Sequence, residues 1–160
     1  MKLPLPDKPE GVSLFFFLRF YANTDLLTGS DWYDWKTVED IPPCGLFDFP
    51  DKEKLKFRFA PANEDFEVIT LPLVAALETM VPADRYLLNP LRWHRVKEQL
   101  SMGEIEYPEM TLGLGRELDA PALQDGRHRI VAMMKLMGMV TAPFAVDPAH
   151  AETVRNFFKC

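Results

Sequence analysis

The sequence predicts an α+β domain of mixed α/β type, with a core over residues 66–160 and an elaborated, β-rich N-terminal third over residues 1–65. Three observations predict it. The 160 residues are 48% hydrophobic, enough for one globular domain with a sizeable core and too much for a disordered chain. Segments of period-2 alternation are interleaved with segments of helical period. Helix start and stop signals, Asn89–Pro90, Asp147–Pro148 and Gly138, punctuate the second half at the spacing of short helices.

In chain order, Met1–Gly11 with Pro4, Pro6 and Pro9 is an extended entry segment. Ser13–Tyr21 is apolar on both faces of a period-2 pattern, as in a strand covered on both sides. Leu55–Ala60 alternates Leu55, Phe57 and Phe59 with Lys56 and Arg58, a half-buried strand. After the turn Asn63–Asp65, Phe66–Thr70 is a second strand able to pair with it. Thr70 is placed to cap a helix from about Leu71 to Met80, with Pro72 in its first turn and Val81–Pro82 ending it.

Asn89–Pro90 opens a helix to about Leu100, with Trp93, Val96 and Leu100 on one face and Arg92, Arg95 and Gln99 on another. Arg92 and Arg95 face either a phosphate or plain solvent, and the small value of surface charges favours solvent. Tyr107–Leu112 is a strand, and Gly113–Arg116 a hairpin turn from which Arg116 reaches toward the next motif. Ala142–Val146 is the last core strand, followed by a terminal helix over Ala149–Phe158.

Composition excludes several classes. Two cysteines, Cys44 and the terminal Cys160, make neither a disulfide framework nor a zinc site. Val12–Tyr21 is the most apolar run, too short to span a bilayer and interrupted by Arg19. No positive n-region precedes it, so a cytoplasmic protein is expected.

The net charge of −6 is unevenly spread. Between Tyr21 and Glu53 eight acids stand against Lys36 and Lys52, which works against nonspecific DNA binding. Six of the nine arginines fall between Arg85 and Arg129, and arginine grips phosphate or carboxylate with a planar fork.

The chemistry concentrates in Leu123–Ile130, which reads LQDGRHRI. Pro121–Leu123 is a short strand. Asp125 is a good helix N-cap, and Gly126 turns the chain tightly and lets an anion approach the first-turn N–H groups. Ile130, Met133, Met134 and Met137 then form one apolar helical face. On that wheel His128 points away from the core between Arg127 and Arg129, so Asp125, Gly126, Arg127, His128 and Arg129 surround a phosphate at the helix mouth without being buried. His128 is the candidate for proton transfer, because imidazole titrates near neutral pH, and Arg127 stabilises charge on a transferring phosphoryl group.

DGRHR followed by an apolar helix, a glycine and a strand resembles the ParB/sulfiredoxin superfamily, whose members carry G-x-[HR]-R at the start of a helix. The resemblance is strongest over residues 66–147. It implies a ParB/sulfiredoxin-like core that binds ATP or another nucleotide with Mg²⁺ through the loop, and NTPase or nuclease activity, the latter with DNA as a partner. Arg127 stands where sulfiredoxins have their nucleophilic cysteine, so sulfinic acid repair is not expected. A metal would draw on Glu104, Glu106 or Glu109, since Asp125 is expected to cap the helix.

The resemblance also extends to fertility-inhibition factors of conjugative plasmids, which implies a second, non-catalytic reading as an interaction protein that inhibits a partner. The acidic, aromatic segment 23–50, with Trp32 and Trp35, would then be the docking surface. The alternative is a loop whose aromatics fold back on the core. The motif, in turn, would be purely structural if its arginines paired with Glu117 and Asp119.

Overall fold

The computed structural model describes residues 33–43, 47–113 and 120–159. The expected strand at Ser13–Tyr21, together with Trp32, Arg116, Glu117 and Asp119, lies outside the described residues. The described part is an α+β fold.

Its main sheet joins β3 (Glu67–Pro72), β6 (Glu109–Leu112), β7 (Pro121–Asp125) and β8 (Thr141–Val146) in the order β3-β8-β6-β7. The β8–β6 pair is parallel and the outer two pairs are antiparallel. β8 holds a central place because Phe144, Ala145 and Val146 are fully buried, the unbroken apolar run expected of a strand covered on both faces. Pro143, which lacks a ladder donor, pairs with Thr70 of β3 and precedes the Ala145–Val146 stretch where β6 joins.

Four helices pack on this frame: α1 (Leu73–Glu78), α2 (Pro90–Ser101), α3 (Arg127–Met137) and α4 (Ala151–Phe158). Leu73 and Leu77 of α1, Trp93 and Leu100 of α2, Ile130 and Met133 of α3, and Val154 of α4 meet Leu71 and Phe144 in one core. Asn89 caps α2 as its sequence predicts, with Oδ1 accepting from the N–H groups of Leu91 and Arg92 at 3.0 Å each. α3 stops at Gly138 in the left-handed conformation, φ 63°.

Two local expectations are corrected. The chain does not enter a helix at Thr70, because Ile69 and Leu71 continue a buried period-2 face and the strand pairs through to Pro72, opposite Thr141. The helix starts only at Leu73, with Pro72 as its N-cap. The second correction concerns pairing. β2 (Lys56–Arg58) does not pair with the strand that follows it but runs parallel to β5 (Glu104–Glu106). Two tight turns, Asn63 N–H to Ala60 O at 2.9 Å and Phe66 N–H to Asn63 O at 3.1 Å, carry β3 away to β8.

The described part of the N-terminal third is layered onto the core. β1 (Tyr33–Asp34) pairs with β4 (Leu87–Leu88), and Ile41 and Leu55 are buried in the shared apolar cluster. No helix among the described residues is long and apolar enough to cross a membrane.

Candidate functional site

β7 delivers the chain to Gly126, whose φ of 106° and ψ of 17° few side-chain-bearing residues adopt. A Cβ there would also sit 2.8 Å from Pro108 Cβ and 2.9 Å from Pro108 Cα. Conformation and close approach both require glycine. Because Gly126 is itself the N-cap of α3, Asp125 stays in β7 and does not cap the helix. Its carboxylate lies 2.8 Å from Arg129 Nη2, one turn along. Gly126 has no side chain to cap the first turn of α3, whose residues Arg127, His128 and Arg129 line a cavity of about 440 Å³.

His128 does not point into solvent. It is 9% exposed, and its Nε2 accepts the Asn89 backbone N–H at 2.9 Å, which puts the imidazole proton on Nδ1. Burial, and then the charges of Arg127, Arg92 and Arg129, push its pKa down to about 3. The expected charge switch near neutral pH is therefore absent. The ring is neutral and serves as a positioning residue, tying the start of α3 to the start of α2. The helical wheel misplaced it because the α2 corner covers that side of the first turn.

Arg129 is equally buried. Its Nη1 donates to the carbonyls of Glu106 and Tyr107, both at 3.0 Å, and its Nη2 meets Asp125. The guanidinium thus spans from the motif to the β5–β6 corner beside Pro108. The expectation that all three motif side chains stand unburied at the helix mouth is met by neither His128 nor Arg129.

Arg127 is half-buried in the cavity wall, its pKa lowered first by burial, then raised by Asp84 and lowered by Arg92. From α2, Arg92 and Arg95 are exposed and line the same cavity. The face expected to be solvated is shared with the motif. The cavity lining therefore brings together Arg92, Arg95, Arg127 and Arg129, with Asp125 paired to Arg129 and the charge of Asp84 acting on Arg127. The signal for Arg92 and Arg95 was present in the sequence: a capped helix start with two arginines three residues apart on one side.

The acids considered for a metal do not converge. Glu104 and Glu106 lie within 4.0 Å of Arg58, and Glu106 is 3.8 Å from Arg129. Glu109 is buried and accepts from Asn63 Nδ2 at 2.7 Å. Among the described residues no three His, Cys, Asp or Glu side chains form a group able to hold a metal ion. Glu104, Glu106 and Glu109 thus do not come together as a metal site. Trp35, expected to dock a partner, stacks on Tyr33 with ring centroids 4.4 Å apart and meets Trp93 edge-on at 6.2 Å. That places it against the core.

Comparison with family models, curated proteins and solved structures finds no match to this chain.

Proposed function

We propose that this chain binds the phosphates of a nucleotide in the cavity at the start of α3. The convergence of Arg92, Arg95 and Arg127 on the glycine-started first turn of that helix carries the reading. Backbone N–H groups and the positive end of the helix dipole attract an anion. Arginine forks add charge-assisted hydrogen bonds of the kind phosphate accepts. The ParB/sulfiredoxin likeness of DGRHR supports the same ligand class. Any Mg²⁺ would arrive with the phosphates, as it commonly does in nucleotide sites. His128 and Arg129 contribute by holding Asn89 and the Glu106–Tyr107 corner in place.

Calorimetric titration of ATP with Mg²⁺ tests this, using wild type and an Arg92→Ala/Arg127→Ala variant checked by circular dichroism. Binding to wild type and a loss of at least about tenfold in the folded variant is the expected result. Equal affinity for both proteins sinks the reading. Arg129 is not the residue to remove, because its loss would disturb the fold.

A further inference from the structure

The cationic cavity has a neighbour of different character. A second cavity of about 700 Å³ is walled by α1, the Val81–Pro82 turn, β7 and the end of α4. Met80 and Leu123 line both, so the two chambers share a wall. Beside the single arginine Arg85, the second presents Ala75, Val81, Pro82, Ala122, Phe157 and Phe158. Val81 is 48% and Phe157 55% exposed there, and the Phe157 and Phe158 rings meet edge-on at 4.9 Å.

Two polar side chains of this wall, Arg85 and Thr79, are bonded to the protein's own backbone. Arg85 Nε donates to Met80 O at 3.2 Å and its Nη2 to Glu78 O at 3.1 Å. The Thr79 hydroxyl donates to Ala76 O at 2.7 Å and accepts the Leu123 N–H at 3.0 Å. The Glu78 and Lys159 side chains are exposed. A ligand entering here meets mainly apolar surface.

We infer that the apolar chamber takes the aromatic or apolar body of the molecule whose phosphates the arginines hold. The ligand class is then a phosphorylated compound with a large apolar part, such as a purine nucleoside triphosphate, rather than free polyphosphate. This rests on the phosphate reading above. Recognition of the apolar part runs through contact area and shape, not through hydrogen bonds to base edges, so ATP and GTP bind alike.

Calorimetry with tripolyphosphate, ATP and GTP tests it on wild type, Phe157→Ala and Ala75→Phe. Phe157 is exposed, so its variant keeps the test valid if the chamber-filling one fails to fold. In wild type both nucleotides should bind at least about tenfold more tightly than tripolyphosphate. Both variants should erase that advantage and leave tripolyphosphate affinity unchanged.

If tripolyphosphate equals ATP in wild type, the inference is overturned while the phosphate reading stands, and the chamber serves another occupant such as a side chain of a second protein. Survival of the nucleotide advantage in both variants also overturns it, since the base then lies elsewhere. If neither tripolyphosphate nor nucleotide binds, the phosphate reading fails and this inference with it.

Discussion

Arg127 and Arg129 are the same residue type two positions apart on one helix turn, yet they belong to different parts of the molecule. Arg129 is buried and engaged by two carbonyls and a carboxylate, which makes it a tie between α3 and the β5–β6 corner. Arg127 faces the cavity beside Arg92, where burial works against its protonated form, Asp84 supports it and Arg92 opposes it. The contrast teaches that a cluster of cations in a motif divides its labour. A buried guanidinium bonded to the backbone of another element holds shape, and one that lines an open cavity beside other arginines is placed to meet an anion. Mutation should separate the two sides.

The largest effect belongs to the tie. Gly126→Ala would need a backbone conformation costly to an L-residue and would drive a methyl into Pro108, a combined penalty of about 3 kcal/mol in urea unfolding. A change below about 0.5 kcal/mol would show that the corner yields freely. Arg129→Ala comes next, at roughly 2–3 kcal/mol, because it leaves the carbonyls of Glu106 and Tyr107 without their guanidinium donor. Unchanged stability there would mean water replaces the guanidinium without loss.

The same contrast explains what the sequence discloses. The α+β class, the Asn89 cap, the Gly138 stop and the Gly126 turn were legible because each rests on local chemistry: an acceptor side chain, a missing Cβ, a repeating apolar face. The partner of β2 was not legible, since it lies nearly fifty residues on in β5 and no local feature of Lys56–Arg58 names it. Within the site, the wheel placed Ile130 and Met133 in the core correctly but misjudged His128, whose environment is set by Asn89 on another helix. Arg92 was undervalued for the converse reason: its solvated face looks ordinary until α3 is laid beside it. Trp35 shows the same limit, because its packing depends on Trp93.

His128 lies between the two arginines, and its variants should have an intermediate effect. Its pKa is depressed from 6.5 to about 3 in the fold, so the unfolded chain binds more protons between those values. Stability is therefore complete above about pH 6.5 and falls as pH drops through that window, by up to about 1.4 kcal/mol per pH unit. His128→Gln retains an acceptor for the Asn89 N–H and removes the titration. Urea midpoints measured from pH 7 to pH 4 should decline more steeply in wild type than in the variant. Parallel curves would place the acid sensitivity in other groups.

The smallest effect on stability, and the sharpest test of the division, belongs to Arg127. Arg127→Gln removes charge from a wall already crowded with cations while keeping much of the side chain's bulk, so unfolding free energy should move by less than about 1 kcal/mol, with either sign. Without an anion, burial and the charge of Arg92 weigh against this guanidinium while Asp84 supports it, so its removal costs the fold little. With an anion bound, one phosphate meets Arg127 and Arg92 together and offsets the repulsion between them. Thermal melts of wild type and variant with and without tripolyphosphate decide it. The anion should raise the wild-type melting temperature and leave the variant's nearly unmoved, and equal shifts in both would make Arg127 a structural residue like Arg129.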